Sequence, residues 1–160
     1  MTISAKLLLY LEKCDASYEL VNHVPTRSAL QNALVCQVPP HQLAKAVLLD
    51  TPHDHLLAVL PSDRRLALDE LGGAVGQALR ISDEKQLAFI FDDCATGAVP
   101  PLGFEYGIPT IVDDSLSRQP DIYFEGGDHV SLVHMDQAEF ARVTKGARHG
   151  RFSERWSERT

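Results

Sequence analysis

The first helix of the chain is predicted by apolar residues that recur at helical spacing. Leu7 and Leu11, with Cys14 or Ala16 further on, place one apolar face on a helix whose first turn Ser4 can cap. Similar patterns predict four more helices: one through residues 29–34, capped by Thr26 or Ser28 and closed by Pro39 and Pro40; a short one from Asp69, limited by Gly72 and Gly73; one from Ser82 through Phe91; and one from Asp136 through Val143.

Strands are predicted where alternating or continuous apolar runs lie between turn residues. Residues 42–50 and 56–61 form the longest pair, joined by the polar, proline-bearing turn at 51–55. Because strands and helices do not alternate strictly, we expect an α+β fold, with a mixed, mostly antiparallel sheet and helices packed around it. The other predicted strands are 18–24, 65–68, 110–112, 121–125 and 130–134, with Gly126 and Gly127 turning between the last two.

Length and composition indicate a single globular domain. The 160 residues, 44% of them hydrophobic, can bury one substantial core. We expect the domain to span residues 1–145, followed by a basic C-terminal tail at 146–160. The apolar run that starts at Leu7 is cut short by Glu12 and Lys13 and lacks a signal-peptide cleavage site, so we expect a cytoplasmic protein without a membrane partner.

The three cysteines are widely separated and form no C-x-x-C pair. They therefore indicate neither a disulfide framework nor a thiolate metal site, and Cys36 and Cys94 are interpreted as small buried hydrophobes. His53 and His55 flank Asp54, a weak metal signal that a solvated turn explains better. We expect neither a metal nor another cofactor.

The net charge of −7 disfavours a protein that coats nucleic acid, because such binding depends on many contacts between basic side chains and phosphates. It does not exclude recognition of one nucleic-acid end. Basic residues concentrate in the tail, which could contact phosphate or be a solvated terminus. These residues are Lys145, Arg148, Arg151, Arg155 and Arg159, against Glu154 and Glu158.

A single lysine, Lys45, interrupts the apolar run at residues 44–49. A lysine in such a strand must either extend to the rim of the sheet or meet an anion. The alternative is a surface lysine that guards an edge strand. The sequence leaves both interpretations open.

A second candidate element is the loop that runs from Thr96 to Gly103. Gly97 allows close approach of a ligand, while Pro100 and Pro101 fix φ and remove two amide donors. The remaining N–H groups can hold a carbonyl oxygen. An ordinary turn is the alternative interpretation.

Taken together, the chain resembles the YbaK/aminoacyl-tRNA synthetase-associated domain family, free-standing relatives of the insertion domain of bacterial prolyl-tRNA synthetase. The similarity extends from the first helix to about Val143. The order and spacing of five elements carry it: His23 after a strand, Ala44 and Lys45 leading into Val47, the G-x-x-x-P element from Gly97 to Pro101, Ile111, Val112 and Asp113 followed by Leu116, and Tyr123 and Phe124 leading into Gly126 and Gly127.

This resemblance implies hydrolysis, in trans, of the ester between a wrongly attached small amino acid and the 3′ end of tRNA, most often tRNA for proline. Lys45 would engage the terminal adenosine or its phosphate, and the amides of Gly97 and Ala98 would hold the ester carbonyl. The 2′-OH of the substrate would help to activate water, so no protein nucleophile is needed. The implied partners are the aminoacyl-tRNA acceptor end, with prolyl-tRNA synthetase or an elongation factor as further candidates, but not DNA.

The remaining candidate substrate-binding residues each have a structural alternative. Tyr18 could contact substrate or cover the core, and His23 could line the site or be a structural histidine. Asp128 and His129 could hold the substrate amine or form a hairpin turn, and Asp113 could orient a loop, hold an ammonium group or form a turn. The candidates for the pocket that sets specificity are Val47, Leu49 and Val99, with Pro101 stiffening the loop.

Two other functions are also consistent with the sequence. A non-catalytic module of the same fold could bind tRNA or a synthetase, and a hydrolase of another small acyl ester would turn over without tRNA. The presence of both Lys45 and the complete G-x-x-x-P element favours the deacylase.

Overall fold

The computed structural model describes residues 3–24, 29–95 and 97–156. The predicted caps Thr26 and Ser28, the loop residue Thr96, and Glu158 and Arg159 of the tail lie outside this part of the chain. Five α-helices lie within it: α1 (Ala5–Lys13), α2 (Ala29–Cys36), α3 (Leu68–Val75), α4 (Glu84–Ile90) and α5 (Gln137–Val143). The strands in it are β1 (Glu19–Asn22), β2 (Leu43–Asp50), β3 (His55–Pro61), β4 (Arg64–Leu66), β5 (Arg80–Ile81), β6 (Thr110–Asp113), β7 (Asp121–Glu125), β8 (Ser131–Asp136), β9 (Arg148–Gly150) and β10 (Ser153–Arg155).

The helix starts follow from capping side chains. Ser4 Oγ accepts from the Leu7 amide at 3.1 Å, as the sequence predicts. The predicted cap at Ser82 is wrong by one residue, because Asp83 caps α4 and Ser82 N donates to Leu48 O of β2. The predicted stop at Gly72 and Gly73 is also wrong: α3 continues through both and ends at Gly76, whose φ of 70° suits the left-handed C-cap position.

The main sheet has eight strands, seven of them in the order β1-β8-β7-β2-β3-β6-β9, with β5 pairing beside the end of β2. The β2–β3, β2–β5, β7–β8 and β1–β8 pairs are antiparallel, whereas β2–β7, β3–β6 and β6–β9 are parallel. The predicted mixed, mostly antiparallel α+β fold is therefore confirmed. The strand predicted at 65–68 corresponds to β4, but β4 lies outside the main sheet and pairs with β10 in a separate two-stranded sheet.

The sheet buries apolar side chains on both faces. On one face, Leu57, Val59 and Phe124 pack with α1 and α5. On the other face, Leu49 and Leu60 pack with α3, while a smaller cluster around Leu43 packs with α2. The two faces arise because successive side chains of a strand point to opposite sides of the sheet.

The segment after α5 packs against the domain through Asp113. This carboxylate is only 3% exposed, and it accepts hydrogen bonds from Phe152 N and Ser153 Oγ, both at 2.9 Å. Phe152 itself is buried, and its carbonyl accepts from Ala67 N. Asp113 thus anchors residues 152–153 beside β6 and also caps the short 3₁₀ segment Asp114–Arg118.

Within the three described ranges, no helix combines the length and apolar character needed to cross a bilayer.

Candidate functional site

Lys45 lies in the interior of the main sheet. It sits opposite Leu60 of β3, and β7 pairs with the other edge of β2, so the alternative of a lysine on an edge strand is wrong. Strand alternation places its side chain on the same face as Leu43 and Val47. Burial lowers the pKa of Lys45, and the nearby carboxylate of Asp63 partly offsets that shift. An ammonium group held in this way is poised to meet an anion that enters from solvent.

Glu125 is the neighbour of Lys45 across the parallel β2–β7 pair. The last paired residues are Ala44 and Phe124, so Lys45 and Glu125 occupy the next positions, side by side and on the same face. Glu125 is 6% exposed, and its Oε1 lies 3.5 Å from His23 Nε2. The sequence identified His23 but missed Glu125. Glu125 could have been recognised from its position, because it lies immediately before Gly126 and its side chain points to the opposite face of the strand from Phe124.

His23 continues β1 by one residue. Its amide donates to Val130 O at 2.7 Å, and its side chain is 1% exposed against Glu125. Cys36 of α2 lies on the same face of the sheet. Burial raises the pKa of the Cys36 thiol, and the Glu125 carboxylate raises it further, so a nucleophilic role for this cysteine is disfavoured.

Gly97 lies at a close approach between the loop and the turn after β7. Its φ is 83°, and a Cβ at this position would lie 3.3 Å from Cε1 of His129. The amide of Ala95 donates to Gly127 O at 2.7 Å, which joins the loop to the turn. The Ala98 amide donates to Ala95 O at 3.0 Å, so this predicted donor is already used within the loop. Gly97 is consequently the stronger candidate for binding a carbonyl oxygen.

Asp128 shapes the same turn. One carboxylate oxygen accepts from the amides of Val130 and Ser131, and the other accepts from Ser131 Oγ. These contacts give Asp128 a structural role in the turn. His129, at φ 64°, is the member of the turn that reaches Gly97.

The other predicted pocket residues are not all brought together. Tyr18 and Val99 pack on the core face opposite Lys45, in the cluster that includes Leu7. Leu49 shares the face of Lys45 but is fully buried, and Pro101 is also buried. Val47 is partly exposed, and of the three predicted specificity residues it alone combines the face of Lys45 with partial exposure.

A partly buried polar cluster supports the start of the loop. Asp93 accepts from Ser4 Oγ at 2.7 Å, from Lys6 N at 3.0 Å and from the Tyr106 hydroxyl. Although burial opposes its charged form, these hydrogen bonds lower the pKa of Asp93 to about 2. Burial raises the pKa of the adjacent Cys94 thiol to about 12, so Cys94 is unsuited to nucleophilic attack at neutral pH.

We expect Asp93→Asn to lower the free energy of unfolding by about 1–3 kcal/mol at pH 7, since the buried donors that face the carboxylate would lose a charged acceptor. Asp92→Asn is the matched control, because the side chain of Asp92 is 68% exposed and its contact with Lys6 is long, at 3.5 Å. Urea unfolding of both variants measures the difference. Equal stabilities for the two variants would contradict a structural role for Asp93.

The part of the chain that the structure describes contains no group of three or more His, Cys, Asp or Glu side chains arranged to hold a metal ion.

Solved structures share this fold at low sequence identity. A structure described as "a putative trans-editing enzyme for prolyl tRNA synthetase" superposes with a TM-score of 0.82 at 23% identity, covering 93% of this chain and 95% of that one. A hypothetical protein gives a TM-score of 0.82 at 20% identity, with 93% and 99% covered. A structure from computational grafting of linear epitopes onto scaffold proteins gives 0.80 at 24%, with 93% and 95% covered.

No curated protein matches the sequence. Residues 23–143, by contrast, match the aminoacyl-tRNA editing domain. That range includes Lys45, Gly97, Glu125 and His129, and it ends at Val143 of α5. The chain therefore belongs to the aminoacyl-tRNA editing domain family.

Proposed function

We propose that the protein is a deacylase that acts in trans and hydrolyses the ester of a small mischarged amino acid on tRNA, with tRNA for proline as the first candidate. One observation carries the proposal. In this member of the editing family, Lys45 places a cation on an interior strand, where burial lowers its pKa. The name of one structural neighbour, quoted above, supports the choice of prolyl-tRNA.

In this mechanism, Lys45 binds the terminal adenosine or its phosphate and thereby fixes the acceptor end. The amide of Gly97 donates to the ester carbonyl and stabilises the oxyanion that develops when water attacks. The 2′-OH of the substrate ribose helps to activate that water. The ester bond breaks, the ribose oxygen leaves with a proton, and the products are the free amino acid and uncharged tRNA.

Selectivity in this proposal comes from the size of the amino-acid pocket. Val47 is partly exposed on the face of Lys45, and His129 contacts the position of Gly97, so both are candidates for the pocket wall. A difference of one methylene group is worth only about 1–3 kcal/mol in such a pocket. Small substrates such as alanine, serine, threonine or cysteine are therefore the ones to compare.

The experiment is a deacylation panel with the purified chain. We expect release of one or two small residues from tRNA for proline charged with alanine, cysteine, serine or threonine, while prolyl-tRNA is spared. Aminoacyl-adenosine substrates without the tRNA body test whether tRNA is needed. Absence of release from every aminoacyl-tRNA would overturn the deacylase proposal and favour a binding module of the same fold.

A further inference from the structure

A polar groove lies next to Lys45, outside the sequence elements on which the family resemblance rests. Its volume is about 600 Å³, which is within the range of ligand sites, and its lining comes from β3, β4, β10, the 3₁₀ segments Pro40–Gln42 and Asp114–Arg118, and the residues next to them. Its lining includes Asp63, Arg64, Arg118, Arg155 and Trp156. Asp63 and Trp156 also interact with Lys45, so the groove leads to the proposed site.

The charge of the groove is opposite to that of the whole protein. Three arginines face one aspartate in it, whereas the chain carries a net charge of −7. Arg64 and Arg155 are directly opposite each other in the β4–β10 pair. An anion bound between the two side chains would interact favourably with both guanidinium groups.

Arg64 is held in place by the strand that faces it. Its Nε donates to Ser153 Oγ at 2.7 Å, and its Nη2 donates to Ser153 O at 2.9 Å. Ser153 is in turn bonded to the buried Asp113. The guanidinium is thus preorganised, which lowers the entropic cost of binding a phosphate.

Trp156 adds an aromatic surface to this groove. Its side chain is 57% exposed, and cations lie over its ring: Arg65 Cζ at 5.1 Å and Lys45 Nζ at 5.8 Å from the centroid. An aromatic platform beside a row of cations is the arrangement by which proteins bind single-stranded nucleic acid.

We infer that this groove binds the single-stranded 3′ acceptor strand of tRNA, with one phosphate between Arg64 and Arg155, another at Arg118, and a base stacked on Trp156. The inference rests on the proposed function, because Lys45 is taken to hold the terminal nucleotide. Asp63 provides an acceptor for a base amino group or a ribose hydroxyl. The basic C-terminal segment therefore has a specific role in substrate binding.

Trp156 is the only tryptophan in the chain, so its fluorescence reports on the groove directly. We expect a single-stranded RNA of sequence ACCA to quench the emission of the full chain saturably, and added salt to weaken the binding. Arg118→Ala should reduce the slope of log affinity against log salt by about one. Arg80→Ala is the charge-matched control, because Arg80 is 83% exposed and pairs with Asp50 at the end of β2.

A labelled ACCA oligonucleotide provides a second measurement through its anisotropy. Trp156→Ala should weaken binding about tenfold, whereas Trp156→Phe, which keeps a stacking surface, should retain most of the affinity. Saturable quenching that Arg118→Ala does not alter, or no quenching at all, would overturn the inference.

The outcomes also separate this inference from the deacylase proposal. Quenching without deacylation would support the groove as an RNA-binding site and contradict the deacylase proposal. Deacylation with an unchanged KM for aminoacyl-tRNA in Arg118→Ala and Trp156→Ala would support the deacylase proposal and contradict the role of the groove in binding the acceptor strand.

Discussion

Lys45→Met is expected to lower deacylation by about 100-fold, the size of effect expected when a substrate is no longer held in the reactive position. Lys45 is desolvated on an interior strand, and burial lowers its pKa. Keeping this lysine charged therefore costs folding free energy, which Asp63 offsets in part and a bound anion would offset further. Methionine keeps the aliphatic stem and removes the charge.

The same substitution should leave the free energy of unfolding unchanged or raise it, since a partly buried cation is replaced by an apolar chain of similar length. Single-turnover deacylation and urea unfolding, measured on one preparation, test both parts. Lys85→Met is the control, because Lys85 is exposed on α4. Wild-type rates in Lys45→Met would show that Lys45 does not contribute to deacylation. A large loss of stability would show that its charge stabilises the fold.

The parts of the fold that could be predicted are those with long patterns. The nine-residue α1 and the β2–β3 hairpin are evident from apolar periodicity and from the turn between them. β5, β9 and β10 have two or three residues each, including Arg80, Arg148 and Arg155, and so carry no apolar pattern. Their pairing is set by tertiary contacts such as those of Asp113, which the local sequence does not specify.

The candidate site was predictable only in part, for a similar reason. Lys45 and Gly97 are conspicuous because a charge interrupts an apolar run and a glycine precedes two prolines. The parallel pairing of β2 with β7 places Glu125 beside Lys45, whereas Tyr18, just before β1, packs on the opposite core face. Parallel partners far apart in sequence have no local signal, so cross-strand neighbours cannot be deduced from one chain.

Gly97→Ala is expected to reduce deacylation by roughly tenfold to 100-fold through the loss of a well-placed oxyanion donor. The backbone at residue 97 has a φ of 83°, so alanine introduces strain of about 1–2 kcal/mol. The new Cβ would also lie 3.3 Å from Cε1 of His129, so the loop or the histidine must shift. Either shift moves the Gly97 amide relative to the ester carbonyl.

Gly107→Ala separates this effect from backbone strain. Gly107 has a φ of 71°, and a Cβ there would meet nothing within 4 Å, so the conformational cost is similar but no contact is made. We expect both variants to lose similar stability by urea unfolding, and only Gly97→Ala to lose deacylation in single-turnover assays. Combining Gly97→Ala with His129→Ala relieves the contact but leaves the strain. Equal loss of activity in Gly97→Ala and Gly107→Ala would mean that general destabilisation, and not the position of the Gly97 amide, controls the rate.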